Sequence, residues 1–284
     1  TQVVSGQPAH IALAGPANKQ GRIVADHICG ISRTFAGSMG SSIMKAFDLT
    51  VATTGLSTKA AEGTGLDFDS IIITPASHAT YYPGAHTMTM KVLFEQPTGR
   101  ILGAQIIGRD GVDKRIDVLA VAIKVGMTEI DLAYAPPYAS AKDPVNMAGY
   151  VIENILEGTV TQIHWDKALA IAATDTNAVI LDTRTQAEFD RGHIGSNKDY
   201  GEDTLHPIIH IPVDELRERL EELPRNKKLF VHCATGIRSY IACRILKQHG
   251  FNCVNIAGGY TFYQALHLDR NTETENIGDC GLKA

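Results

Sequence analysis

The stretch Lys228-Leu229-Phe230-Val231-His232-Cys233-Ala234-Thr235-Gly236-Ile237-Arg238-Ser239-Tyr240 constrains this chain more than any other. Its apolar start reads as a short buried strand that ends at a cysteine. A tight loop with one glycine follows, then a helical pattern through Ile241, Ala242, Ile245 and Leu246. A strand–loop–helix turn aims backbone N–H groups into the loop, and the helix start adds partial positive charge. A thiol at such a turn ionises easily, and the loop amides form a nest for an anion. The expectation is a thiolate nucleophile at Cys233, with Arg238 and the loop residues Ala234, Thr235, Gly236, Ile237 and Ser239 holding an anionic or sulfur-charged adduct. The alternative is an inert buried cysteine at a strand end.

The whole chain sets the bounds. A length of 284 residues implies two domains, and 44% hydrophobic with 20% charged residues is an ordinary globular composition. A net charge of −5 gives no field for nucleic acid, and no apolar run is long enough to span a membrane. No secretion signal is expected at the start. The five cysteines, Cys29, Cys233, Cys243, Cys253 and Cys280, are odd in number and show no Cys-x-x-Cys spacing. That pattern implies reduced thiols in the cytoplasm and argues against a structural zinc site. The 11 histidines are scattered, so no metal site is expected. The chain opens on Thr1 and runs at once into Ile11-Ala12-Leu13-Ala14-Gly15, which reads as a strand in the middle of a longer protein.

In order, residues 1–30 read as a polar turn, that strand, and a helix carried by Ile23, Val24, Ala25 and Ile28 and ended at Gly30. Cys29, late in the helix, reads as a packing residue. Gly37-Ser38-Met39-Gly40-Ser41-Ser42 lacks the ending of a phosphate loop and reads as a flexible connector. Ile43 to Val51 reads as an irregular strand-like stretch, and Ile71-Ile72-Ile73 as another strand. Met88, Met90, Val92 and Phe94 alternate with Thr89, Lys91 and Leu93, then Gln96-Pro97-Thr98-Gly99 turns the chain into Ile101–Ile107. This hairpin predicts an antiparallel sheet. A helix is expected from Asp113, a Pro- and Tyr-rich loop over Leu132–Pro144, and a last helix over Val145–Leu156.

The second half resembles the rhodanese-type sulfurtransferases. Cys233-Ala234-Thr235-Gly236-Ile237-Arg238-Ser239 is similar to that family's active-site loop. Val179–Arg184, Glu188-Phe189 and Gly192-His193-Ile194 resemble its early strand and turn, Ile211–Leu216 the start of its middle helix, and Asn255–Tyr260 its closing Gly-Gly turn. By that resemblance Cys233 carries a persulfide. Asp182 and Arg184 join the candidate catalytic residues: Asp182 either orients Arg184 or the active loop, or caps the next helix. His193 reads as structural. Leu216, Leu220 and Leu223 read as the buried stripe of a helix, and Cys243 and Cys253 as core. One departure is the polar insertion Gly195–His206, either a lid or a longer surface loop. Cys280 lies in a polar tail and reads as an adventitious thiol.

The first half resembles the coenzyme A disulfide reductase branch of the pyridine nucleotide-disulfide reductases. Leu13–Arg22 is similar to the tail of that family's flavin-binding domain, which makes Pro16 and Ala17 a flavin-proximal remnant. Gly40 to about Gly158 is similar to its C-terminal dimerisation domain, although Gly126–Leu132 looks short. No Gly-x-Gly-x-x-Gly follows a strand anywhere, so the dinucleotide fingerprint is missing. The resemblance implies FAD, NAD(P)H and CoA as cofactors of a full-length parent, with none bound tightly by this chain alone. It also implies a homodimer in which Tyr81 or Tyr82, and Tyr138, reach the partner's CoA and disulfide site. From the residues alone these tyrosines read first as packing and hydrogen-bonding anchors in proline-bounded loops, and the resemblance sets the site role level with that reading.

The expected organisation is a flavin-domain remnant over 1–36, an α+β dimerisation domain with an antiparallel sheet over 37–158, an α/β rhodanese-like domain with a central parallel sheet over 161–270, and a polar tail over 271–284. The expected function is sulfane-sulfur transfer within a CoA-disulfide, persulfide or polysulfide reductase. Thiosulfate, polysulfide and persulfides are the expected donors, and thiols such as CoA the acceptors. Two other readings stand beside it. One is a dimerisation and docking scaffold with an idle rhodanese-like domain; separately, loss of a flavin domain would expose apolar surface around Ile11–Ile28, with poor solubility or association expected there. The other is a cysteine phosphatase, disfavoured because four residues separate Cys233 from Arg238 where the phosphatase loop has one more.

Overall fold

A computed structural model describes residues 1–126, 132–194 and 208–271. The chain divides into two compact units, Thr1–Leu156 and Glu157–Ala284. The insertion Gly195–His206, the stretch 127–131 and Cys280 lie outside the described residues.

The first unit opens with α1, Ala14–Ile28. The strand expected over Ile11–Gly15 does not form. Leu13 is extended, but its carbonyl already accepts the Ala17 N–H at 3.2 Å. Among the described residues no strand lies alongside to take these backbone groups, whereas a helix satisfies its own. Pro16 sits in the first turn, where a missing N–H costs nothing. Gly30, at φ 79°, ends the helix: its N–H meets the His27 carbonyl at 3.0 Å and the Ile31 N–H meets Asp26 at 2.8 Å. Cys29 is exposed at this cap and does not pack, contrary to the sequence reading. No residue of α1 is buried, and Val24 and Ile28 face solvent.

The glycine-serine connector is pinned where a flexible one was expected. The Ser38 N–H meets the Thr1 carbonyl at 3.0 Å, the Val3 N–H returns to the Ser38 carbonyl at 3.1 Å, and Ser41 Oγ lies 2.7 Å from Thr54 Oγ1. The irregular stretch that follows is a hairpin of β1 (Ser42–Ala46) and β2 (Leu49–Gly55), with Phe47 at its turn in a positive-φ conformation and almost fully exposed. A short helix α2 (Thr58–Glu62), capped by Ser57, leads to β3 (Phe68–Ile73), β4 (Met88–Glu95) and β5 (Ile101–Gly108). The strands order as β1-β2-β5-β4-β3, and every pairing is antiparallel.

The alternation in β4 places Met88, Met90, Val92 and Phe94 in one buried cluster with residues of α3 (Val112–Val125) and α4 (Pro144–Leu156). Leu93 points the other way, into a smaller cluster with Leu56, Ala61 and Leu102. Each such side chain contributes about 1.5–3 kcal/mol on burial.

One ion pair ties this layer together. Arg115 of α3 is 2% exposed and bonds Asp143 Oδ2 at 2.9 Å, the Ser77 carbonyl at 2.7 Å and the Gly111 carbonyl at 3.2 Å. Asp143 Oδ1 accepts the Val145 N–H at 3.0 Å and so caps the first turn of α4.

The second unit starts with β6 (Gln162–Ile163), α5 (Trp165–Thr174), β7 (Ala178–Asp182), α6 (Gln186–Asp190) and β8 (Ile208–His210). It continues with β9 (Lys228–His232), α7 (Ile237–Gln248), β10 (Asn252–Ile256) and α8 (Gly259–Asn271). The sheet order is β6-β10-β9-β7-β8 and all pairings are parallel. The two central strands, β7 and β9, are the chain's continuous apolar runs, as strands covered on both faces require.

Leu216, Leu220 and Leu223 are buried, but not on a helix. The segment is a chain of turns ending in a 3₁₀ turn, Leu220–Glu222. Its N–H groups reach back three residues, Glu215 to Pro212, Leu216 to Val213 and Arg219 to Leu216. Prolines at 212 and 224 bracket it and leave no room for a longer regular helix.

Removing Asp143 strands the Arg115 charge inside the first unit. Asp143→Ala is expected to destabilise that unit by about 3 kcal/mol, read as faster amide hydrogen exchange in α3 and α4. Unchanged protection there would show that the pair carries no stability.

Candidate active site

The parallel sheet sets the site. β7 and β9 are neighbours, with Asp182 opposite His232, so both strands deliver polar residues to the same end of the sheet. Cys233 follows β9 directly and is fully buried. Gly236 adopts φ 109° and turns the chain into α7. Its N–H reaches Cys233 Sγ at 3.1 Å, and the Ser239 hydroxyl faces the same sulfur at 3.5 Å. Negative charge on sulfur is therefore met by the Gly236 N–H and faced by the Ser239 hydroxyl, whose shorter hydrogen bond runs to the Gly236 carbonyl at 3.0 Å. Ile237 and Ile241 lie on the solvent side of α7, while Ala242, Cys243, Ile245 and Leu246 form its buried face, so Ile241 leaves the apolar stripe read from the sequence.

The loop is held from behind by the start of α8. The Tyr260 N–H donates to the Cys233 carbonyl at 2.7 Å and the Thr261 N–H to the Ala234 carbonyl at 2.9 Å. This approach needs glycine at 259: a Cβ there would stand 2.5 Å from the Ala234 oxygen and 2.7 Å from the Cys233 oxygen. The Gly259 carbonyl in turn accepts the indole N–H of buried Trp165 at 2.9 Å.

Arg238 extends toward α6. Its Nη1 and Nη2 donate to the two carboxylate oxygens of Glu188 at 2.7 Å each, and that pairing, with a smaller contribution from the nearby Cys233 sulfur, raises the Arg238 pKa. Glu188 is doubly used, because Oε2 also accepts the Thr185 N–H and hydroxyl at 2.9 Å each in a capping box for α6. The Arg238 guanidinium, with help from Thr185, holds the Glu188 carboxyl at about 2.

Asp182 and Arg184 are occupied with each other. Arg184 Nε and Nη2 contact the Asp182 carboxylate at 2.6–3.0 Å. The guanidinium also bonds the Glu188 and Gly192 carbonyls at 3.2 and 3.0 Å and stacks 3.8 Å over the Tyr260 ring. Of the two roles open to Asp182, orienting Arg184 is the one its bonds describe, since Thr185 caps α6. Burial opposes ionisation of Asp182, but His232 and Arg184 beside it keep its pKa below the ordinary value. Burial pushes His232 down despite the nearby carboxylate. His193 stacks on Phe189 at 4.0 Å and bonds the Phe189 carbonyl at 3.2 Å, a structural placement. Cys243 and Cys253 meet in the core, with Cys253 Sγ 3.5 Å from the Cys243 carbonyl.

In the first unit the tyrosine loops come together. The Ala79 N–H bonds the Ala139 carbonyl at 3.1 Å, and Tyr81 Oη lies 2.8 Å from Tyr134 Oη. The hydrogen bond to Tyr134 raises the pKa of Tyr81. Tyr81, Tyr82 and Tyr138 are exposed and do not serve as buried packing anchors. A cavity of about 460 Å³ opens at Tyr134 and Tyr138, lined also by Lys114 and Pro137. Tyr134 and Glu188 were missed as site residues in the sequence reading, because each is recognisable only through its distant partner.

Residues 41–141 match the pyridine nucleotide-disulphide oxidoreductase dimerisation domain, and residues 166–266 match the rhodanese-like domain. This chain joins an oxidoreductase dimerisation domain to a rhodanese-like domain. The coenzyme A disulfide reductase of Staphylococcus epidermidis is 38% identical over 149 residues, which is 50% of this chain and 34% of that enzyme. The solved structure of reduced CoADR-RHD from Bacillus anthracis superposes with a TM-score of 0.86 at 40% identity, covering 95% of this chain and 47% of that one. A NAD-dependent persulfide reductase from A. fulgidus gives a TM-score of 0.80 at 38% identity, covering 93% of this chain and 46% of that one. The chain thus spans about a third of the length of the curated relatives it matches. Among the described residues no helix is long and apolar enough to cross a membrane, and no cluster of His, Cys, Asp or Glu is arranged for a metal ion.

FAD is the group the resemblance implies for the flavin-side residues. Pro16 and Ala17 lie in the first turn of α1, a helix with no buried residue. A dinucleotide needs a cradle of close backbone amides and covering side chains. The residues present do not fit that requirement.

Trp165 is the only tryptophan and reports on the second unit. Gly259→Ala is expected to cost that unit about 2 kcal/mol, since the positive φ and the two carbonyl clashes act together. A wild-type denaturation midpoint by Trp165 fluorescence would show that the staple tolerates a Cβ. The depressed Glu188 carboxyl gives a pH signature. Its pairing stabilises the fold above the ordinary value of 4.5 and loses that contribution as pH falls through about 2. Solvent screening brings the contribution to about 1 kcal/mol. Glu188→Gln is expected to flatten the stability curve across this window, and an unchanged slope would assign the acid sensitivity elsewhere.

Proposed function

We propose that the second unit transfers sulfane sulfur through a persulfide on Cys233. The observation that carries this reading is the sulfur itself, held at the end of β9 with the Gly236 N–H at 3.1 Å, the Ser239 hydroxyl at 3.5 Å and Arg238 beside it. The Cys233 thiolate attacks the outer sulfur of a persulfide R–S–SH. The donor's S–S bond breaks, RS⁻ leaves with the electron pair, and Cys233–S–SH forms. An acceptor thiol R′–SH then attacks the outer sulfur of this adduct, giving R′–S–SH and returning Cys233 to the thiol. The loop donors offset the negative charge that moves between the sulfurs. Because the thiol is fully buried, a donor reaches it only by displacing part of its cover.

The wider reading places this chain in a CoA-disulfide, persulfide or polysulfide reductase of the cytoplasm. The first unit acts as a homodimerisation domain, and its exposed tyrosines orient CoA thiolate or disulfide at the partner's site. The exposed apolar residues Ile43, Met44 and Phe47 support association. FAD and NAD(P)H supply hydride transfer in that enzyme. These residues lack the dinucleotide fingerprint, so no hydride step is assigned to them.

Intact-protein mass spectrometry after brief exposure to an organic persulfide or polysulfide tests the sulfur chemistry. The wild type is expected to gain one sulfur atom that cyanide removes as thiocyanate, and Cys233→Ser is expected to gain none. No gain in protein whose Trp165 fluorescence shows it folded would leave the scaffold reading in place.

A further inference from the structure

Glu188 puts a permanent negative charge at a site expected to be cationic. Its carboxylate accepts four hydrogen bonds, two from Arg238 at 2.7 Å and two from Thr185 at 2.9 Å. Held at about 2, it is ionised throughout the range in which a thiolate works. Both terminal nitrogens of Arg238 are engaged on it, so the pair presents no net charge to the Cys233 pocket. The next charged groups, Asp182 and Arg184, are also closed on each other. The donors left for a ligand at the sulfur are the loop amides, the Ser239 hydroxyl and a neutralised arginine.

Donors differ in what they ask of such a pocket. Thiosulfate brings two negative charges into a partly dehydrated site, and that transfer is costly without a free cation. An organic persulfide brings one charge or none. We propose that Glu188 is a specificity-determining residue that, by neutralising Arg238, selects low-charge organic persulfides over thiosulfate as sulfur donors. This rests on the persulfide reading of Cys233. Both reactions balance. Thiosulfate would give Cys233–S–S⁻ and sulfite as its S–S bond breaks, and R–S–SH gives Cys233–S–SH and RS⁻. Only the first must hold a trianionic transition state, counting the thiolate.

Glu188→Gln isolates the charge. Glutamine keeps the length of the side chain and an oxygen for the Thr185 cap. With cyanide as acceptor, kcat/KM is measured on the full chain for thiosulfate and for 2-hydroxyethyl persulfide. The ratio of the two is independent of the folded fraction, which a purely structural role would alter equally for both donors. The thiosulfate-to-persulfide ratio is expected to rise at least about tenfold in the variant, and the rise is expected to shrink with added salt. Loading of wild-type Cys233 by the persulfide with an unmoved or lowered ratio in the variant would overturn the role of Glu188 alone. Failure of both donors to load the wild type would overturn the persulfide reading and this inference with it.

Discussion

The buried pair of Asp182 and Arg184 is the contact on which the geometry of the second unit depends. Asp182 stands at the end of a fully buried strand and Arg184 is 3% exposed, so neither charge has water to fall back on. Replacing such a pair with apolar side chains is often neutral for stability, whereas breaking one partner away costs about 3–5 kcal/mol. Its value here lies in what Arg184 touches next. The guanidinium fixes the Glu188 carbonyl, the Gly192 carbonyl and the Tyr260 ring at once. The first contact places α6, and α6 places Glu188 against Arg238. The last places the start of α8, whose amides hold the Cys233 and Ala234 carbonyls. Two supports of the cysteine loop, Glu188 against Arg238 and the start of α8 behind Cys233, therefore descend from the Asp182–Arg184 ion pair.

Much of this was legible in the sequence, for local reasons. The apolar runs of β7 and β9 and the alternation of β4 are short-range patterns, and the single glycine after Cys233 marks the turn into α7. What escaped is long-range. Glu188 meets Arg238 across 50 positions, and Tyr134 meets Tyr81 across 53. Composition and periodicity carry no record of such pairings. The leucine triplet misled for a different reason. A spacing of three and four places Leu216, Leu220 and Leu223 on one face of a helix, but i to i+3 turns bury the same residues, and the flanking prolines decide for the turns. Over Ile11–Gly15 the apolar character was real and the strand was not, because a strand needs a neighbour that a helix does without.

The two units gather their candidate residues by different rules. In a parallel sheet every strand ends on the same side, so the residues after β7 and β9 converge without any long loop. The helices that follow begin at that same end and bring their free N–H groups with them, which is why a cysteine directly after β9 meets backbone donors. An antiparallel sheet sends alternate strand ends to opposite sides and offers no such convergence. The first unit compensates with side chains. Arg115, inside α3, bonds the carbonyl of Ser77 and the carboxylate of Asp143, and thereby anchors both the 74–87 and the 133–143 connections. The Ala79–Ala139 hydrogen bond then closes the two loops on each other and brings Tyr81 to Tyr134. The cysteine site is thus written into the backbone topology of its unit. The tyrosine loops of the first unit are gathered instead by hydrogen bonds between side chain and loop and between loop and loop, from Arg115 to Ser77 and Asp143 and from Ala79 to Ala139.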